Sequence, residues 1–285
     1  MDQQAEIWIS RAERAWLKPI EAHITHLFSG IYLPSHDHTH HRRVWHLCRQ
    51  LIREIGQYNQ HFDYKTVEGI LIASWFHDVG MIHSTDEKHG AAGSDMCKAF
   101  FPKERDSRPE AFDEVLEAIL KHDQKEDRIY AGIVKEQRPE ILSILSIADD
   151  LEALGTIGIY RYTEIYLERG IPPGELGERV IRNANKRFCR LSGCRLCGNL
   201  INAYAQQWKE LTSFFREYTR QIGEDGDPSL TETGPLGVVN HIRTLGLSDH
   251  IRPEVMADRI RQNGSDRFVK EFFTRLQDEL EKARL

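Results

Sequence analysis

Fourteen histidines stand in this chain of 285 residues, and five of them, His36, His38, His40, His41 and His46, fall within one short stretch. Imidazole nitrogens and carboxylate oxygens bind a divalent cation when rigid elements aim them at one point. Three places offer such groups at the end or edge of an apolar run. His40 or His41 opens a segment in which Val44, Leu47, Cys48, Leu51 and Ile55 recur at helical spacing. His77-Asp78 closes the run from Ile70 to Phe76. Asp149 or Asp150 lies inside the run from Ile144 to Leu151, where an acid is costly unless it is paired or metal-bound. At ~100° per residue, Asp149 falls at the edge of the apolar arc between Leu142 and Leu145, and Asp150 points roughly opposite. The same exercise does not separate His40 from His41, since both border the apolar face.

The elements that must carry these groups read as helices. Segments 4–28 (kinked or divided at Pro19), 37 or 39 to about 55, 66–76, 88–101, 110–122, 139–154, 156–169, 174–191 and 199–222 all show helical spacing or length. Asp37 or Thr39 can cap the second of them. No alternating run reads as a strand, and the expected fold class is all-α. Residues 223–237, rich in Gly, Pro and acids, read as a linker between a main domain over 1–222 and a C-terminal helical appendage over 238–285. In that appendage Phe268, Phe272, Phe273, Leu276 and Leu280 share a face that docks on the main domain or serves a homodimer.

Composition bounds the partners. Hydrophobic residues at 40% and charged residues at 29% exclude a disordered chain. With 38 basic against 44 acidic residues the net charge is -6, which argues against a nucleic-acid partner. The longest apolar run is too short to cross a bilayer. Five scattered cysteines and a start without a signal-peptide core predict a soluble, cytoplasmic protein with reduced thiols. Cys189, Cys194 and Cys197 could offer zinc three ligands, but a structural site wants four. No glycine-rich phosphate loop occurs.

Three stretches taken in order resemble the HD-domain superfamily of metal-dependent phosphohydrolases. They are Asp37-His-Thr-His40-His-Arg-Arg43-Val44-Trp45, Trp75-Phe-His77-Asp78-Val-Gly80, and the segment from Ile147-Ala-Asp149-Asp-Leu to Arg161. The likeness covers about residues 25 to 200. It implies an HD-type helical bundle with His40, His77, Asp78 and Asp149 as metal ligands, because the first family ligand precedes Arg-Val by three residues and the last sits in Ala-Asp-x-Leu. Asp78 is then also the catalytic carboxylate. His89 and His122 resemble the extra ligands of two-metal members, or else they bind substrate beside a single ion. Two departures stand out: Asp123 follows His122 where some two-metal relatives have a second His, and Val79-Gly80-Met81-Ile82 replaces the acid some nucleotide-cleaving relatives place after His-Asp.

The resemblance implies hydrolysis of a phosphoester or phosphoanhydride, with a nucleotide as the family-level substrate. One or two divalent ions (Mn, Fe, Co, Ni, Zn or Mg) would activate water. Arg43, Lys121 and Arg161 are the candidate phosphate-binding cations, and loops 81–90 and 122–138 the candidate specificity elements. A diiron HD-type oxygenase is the alternative that His89 and His122 keep open. A non-enzymatic signalling module is the third, opposed by the filled ligand positions.

Overall fold

The computed structural model describes residues 3–57, 62–85, 89–102, 108–124, 139–194, 197–224, 231–262 and 266–282, and these are helices and short connections with no strand. The chain forms two compact units. One comprises Met1–Leu151 with Cys189–Asn202, and the other Glu152–Phe188 with Ala203–Leu285.

The first unit opens with α1 (Gln3–Ala12), a π-helical turn (Glu13–Leu17) and α2 (Lys18–Leu27). The stretch is divided just before Pro19, which stands in the first turn of α2. The wide turn just before it accommodates the ring and the missing N–H, which a regular i→i−4 ladder would not. Next come α3 (His38–Gly56) and α4 (Tyr64–Phe76), capped by the side chains of Asp37 and Asp63, which accept from the amides of Thr39 and Thr66. The only acid on α4, Glu68, is buried and accepts from Trp16 Nε1 and the Tyr64 hydroxyl. A 3₁₀ turn (Val79–Ile82) leads towards α5 (His89–Phe100), followed by α6 (Phe112–Lys121) and α7 (Ile141–Glu152). α3 packs on α4, α4 on α6, and α5 on both α6 and the 3₁₀ turn.

Two glycines permit the closest approaches. A Cβ on Gly80 would lie 2.0 Å from the carbonyl oxygen of His89, and one on Gly90 would lie 2.9 Å from that of Leu120. The absence of side chains there lets the start of α5 sit against the turn after Asp78 and against the end of α6.

The second unit contains α8 (Gly155–Glu168), most of α9 (Pro173–Leu191) and of α10 (Gly198–Glu224), α11 (Gly234–His241), a π-helical turn (Ile242–Ser248), α12 (Pro253–Gln262) and α13 (Arg267–Lys282). One apolar core joins Tyr160, Leu176, Val180, Phe215 and Tyr218 to Leu236, Val239, Met256, Phe273 and Leu276. The helices after the expected linker therefore share a core with α8, α9 and α10. Of that linker, residues 225–230 lie outside the described residues, and 234–237 are the first turn of α11, where Pro235 suits a helix start. Of the aromatic face expected to dock on the main domain or to serve a homodimer, Phe272, Phe273, Leu276 and Leu280 are buried inside this unit and Phe268 stays exposed.

Cys194 and Cys197 form a disulfide in the turn between α9 and α10, correcting the expectation of reduced thiols at those positions. The turn brings their Cα atoms to 6.0 Å, within bonding range. Cys48 and Cys97 are free and buried, and Cys189 is free and exposed. No helix among the described residues is long and apolar enough to cross a membrane.

Candidate metal centre

Four side chains from three helices meet in the first unit. His40 comes from the first turn of α3, His77 and Asp78 from the end of α4, and Asp149 from α7. One ligand atom from each lies within 4.8 Å of the others, and all four residues are buried. His40 Nε2 stands 3.1 Å from His77 Nε2, 3.2 Å from Asp78 Oδ2 and 3.9 Å from Asp149 Oδ1. Asp78 Oδ2 is 3.4 Å from His77 Nε2.

A second cluster joins the first through Asp78. His89, the first residue of α5, and His122, which caps the end of α6, lie with Asp78 in another group of three buried potential ligands. Asp78 Oδ1 is 3.1 Å from His89 Nε2 and 3.0 Å from His122 Nε2, and the two imidazole nitrogens are 3.1 Å apart.

Hydrogen bonding settles which nitrogen each imidazole can offer. His77 Nδ1 donates to the carbonyl of Ser74 at 3.0 Å, and His122 Nδ1 donates to that of Ile119 at 2.7 Å. A carbonyl can only accept, so in each neutral ring Nε2 carries a bare lone pair. Both lone pairs point at carboxylate oxygens and at other imidazole nitrogens. Such contacts repel unless a proton or a cation stands between them, and ligand histidines are oriented by this kind of Nδ1–H···O=C bond. The donor set fits a divalent cation of the mixed N/O class.

The charge states divide between the rings: without a cation, protons are favoured at His89 and His122 beside Asp78, while His77 stays neutral. Burial pushes His77 down to about 4, with His40 and His122 adding to the effect against the pull of Asp78, so its ring is neutral near pH 7. Asp78 is held well below the usual carboxylate range: burial would raise it, but His77 and hydrogen bonds from His122, His40 and His89 prevail. His89 is pushed up to about 11, the bonds to Asp123 and Asp78 outweighing its burial. His122 is raised by Asp123 and Asp78 despite its burial.

The rivals have definite places too. His41 is fully buried, its ring 5.2 Å from that of His77 and stacked at 6.4 Å on Trp75, and burial holds it well below its ordinary range. It backs the cluster as a neutral ring. His36 is buried with its ring 5.4 Å from His40, while His46 bonds Gln50 on the same helix. Asp150 is buried as well as Asp149, because α7 is enclosed all round. Periodicity distinguished their directions but not their exposure. Arg42, on α3 beside His41, pairs with Glu21.

Of the phosphate-binding candidates, Arg43 is buried and donates to Thr39 Oγ1, one turn from His40. Lys121 precedes His122 and pairs with Glu117 on the flank of α6. Arg161 belongs to the second unit, where its guanidinium is buried on Glu152. In the expected specificity loops, residues 86–88 and 125–138 lie outside the described residues.

Asp123 is the residue that sequence reasoning undervalued. Its Oδ2 lies 2.8 Å from His89 Nε2 and 3.6 Å from His122 Nε2. The signal was present: His122-Asp123 ends an amphipathic helix as His77-Asp78 ends an almost wholly apolar one.

Compared with known proteins, residues 38–154 match the family model described as HD domain. No curated protein and no solved structure matched the chain. The matched span begins two residues before His40 and ends five after Asp149, enclosing both clusters. The match over residues 38–154 is consistent with the HD-domain superfamily, whose members are mostly hydrolases.

Proposed function

We propose that this protein is a metal-dependent phosphohydrolase that cleaves a phosphoester or phosphoanhydride, with a nucleotide as the favoured substrate class. The observation that carries the reading is that the Nε2 atoms of His77 and His122, their Nδ1 atoms each engaged by a carbonyl, are turned on the two oxygens of Asp78. His40, His77, Asp78 and Asp149 would hold the ion. When bound, a divalent cation acidifies a coordinated water and polarises a phosphoryl oxygen.

The chain's own residues supply the rest. Ser74 and Ile119 carbonyls hold the His77 and His122 rings in the tautomer that presents Nε2. Asp78 keeps its charge and both oxygens within the cluster, where one of them can orient the attacking water. His89 and His122 line the other side of Asp78, at the edge where Asp123 is one-third exposed, and this is where substrate or a second ion would enter. Arg43 and Lys121 are the nearest candidates in this unit to take up phosphoryl charge. The nucleotide preference rests on the family alone, and cytoplasmic location remains an expectation from composition.

The test is release of phosphate or pyrophosphate from a panel of nucleotides and phosphoesters, using metal-stripped protein with added Mn²⁺. Release that requires the ion and disappears in Asp78→Ala is the expected result. Silence across the panel overturns the reading. The second cluster also suits a diiron oxygenase, and substrate-dependent oxygen consumption by iron-loaded protein, with no hydrolysis, would favour that class instead.

A further inference from the structure

We infer that the second unit carries a pocket for an organic cation, an alkyl- or arylalkyl-ammonium whose charge meets carboxylates while its apolar body lies on three phenylalanine rings. Two helical stripes build it. Glu210, Phe214 and Glu217 recur on one face of α10, and Phe268, Glu271, Phe272 and Arg275 recur on one face of α13. The contacts run in opposite directions along the two helices. Arg275 donates to Glu210 at 2.8 Å, and the ring of Phe214 stands 5.6 Å from that of Phe272 and 6.3 Å from that of Phe268. α13 also packs on α8 and α11, which close the remaining sides. The resulting cavity of about 330 Å³ lies wholly within this unit. Small-molecule sites begin at about that size.

The lining fixes the charge of the ligand. Among the described residues that line the cavity, three are carboxylates and one is a guanidinium, Arg275, already bonded to Glu210. Glu217 and Glu271 accept from Arg220 and Arg267 on their own helices. Those pairs are exposed, where an ion pair is worth little, so a ligand can displace them. Behind Thr156 on the α8 side, burial raises the Glu279 carboxyl and the charge of Glu210 adds to it, against bonds from Thr156 and the amide of Ile157. The pocket therefore holds carboxylates that already repel one another. A cation relieves that repulsion and an anion adds to it.

The rings fix the body. Phe214 and Phe272 are each 7% exposed and Phe268 is 42% exposed, so an aromatic wall runs from the core of the unit out to solvent. An ammonium within about 6 Å of such a ring is drawn to its face. A hydrocarbon body gains by covering the part of Phe268 that water now wets. A phosphorylated compound of the kind proposed for the first unit meets neither requirement.

Full-length protein is titrated by calorimetry with phenethylamine and octylamine, and with 3-phenylpropanoate, which pairs the phenethyl body with the opposite charge. Each amine should bind once per chain, more weakly as salt rises, and the carboxylate should bind at least about tenfold more weakly than phenethylamine. Phe268→Ala and Glu217→Gln, both at exposed positions, should each weaken phenethylamine about tenfold. If either variant fails to fold, Glu271→Gln carries the same comparison. Carboxylate binding as tight as that of the amine would reveal an unspecific apolar cleft and overturn the inference. So would unchanged amine affinity in either variant, or no binding of either amine at millimolar concentration.

Discussion

Among the described residues, both compact units bury apolar side chains, but only the first also buries a cluster of imidazoles and carboxylates. The second is held by aromatic and aliphatic side chains, Phe215, Phe273, Leu276 and Met256 among them, with little accessible surface left on any. The first buries His40, His41, His77, His89, His122, Asp78, Asp149 and Asp150, each at 5% exposure or less, at the centre of its helices. An apolar core gains free energy simply by leaving water. A cluster of imidazoles and carboxylates loses hydration on burial and regains it only if protons or a cation bridge the lone pairs. The apolar core of either unit is therefore stable on its own terms, and the polar centre of the first is conditional on what it binds. Helical periodicity looks alike in both, so the difference lies in which side chains occupy the inward positions.

The contrast can be broken most directly at Asp78. Replacing it by alanine removes the oxygen that each half of the cluster shares, so Mn²⁺ content and metal-dependent hydrolysis should fall together by more than about 100-fold. Metal analysis of the purified variant beside its turnover checks this, and retained metal would refute the shared role. The complementary cut is Phe273→Ala in the second unit. It should destabilise by about 3–5 kcal/mol in denaturant unfolding and leave the metal stoichiometry of the folded protein unchanged.

Conditional stability makes an intermediate prediction. Mn²⁺ at a hundred times its dissociation constant should stabilise the metal-free protein by about 2.7 kcal/mol, seen as a rise in Tm. No rise would mean that the cluster is satisfied without a cation. The pH profile should respond as well. His77 is depressed to about 4 from an ordinary 6.5, so its contribution is present above pH 6.5 and is lost as pH falls towards 4. His89 is raised to about 11, so its contribution is complete below pH 6.5 and is lost as pH rises towards 11. From these two groups, metal-free protein should be most stable near pH 6.5. Mn²⁺ should flatten the alkaline limb, because the ion takes the place of the His89 proton.

The smallest effect belongs to the second unit. Burial raises Glu279 despite its bond from the amide of Ile157, so ionising it costs stability as pH climbs above the ordinary carboxylate range. Glu279→Gln should raise Tm slightly at pH 7, with no gain at pH 4.

The sequence carried the helices and much of the site. Apolar spacing marked α3, α6, α9 and α10, and three motifs in order picked out His40, His77, Asp78 and Asp149. These signals are local, because a helix repeats within four residues and its face can be read without knowing its neighbours. The division into units was not legible. Its boundary at Leu151 and Glu152 falls inside the continuous helix α7, and residues 189–202 return to the first unit from far along the chain. The Cys194–Cys197 disulfide and the consumption of the 268–280 face were hidden for the same reason.

Amino-acid order alone determined that two helices would end in His-Asp, and that glycines would stand at positions 80 and 90. Tertiary structure decided that the two oxygens of Asp78 would serve two clusters, and that Asp123 would face His89. Those contacts join side chains 37 and 44 residues apart, such as His40 with His77 and Asp78 with His122. The packing of α3 on α4, and of α5 against the Gly80 turn and the end of α6, sets such distances, and no periodicity within one helix encodes them.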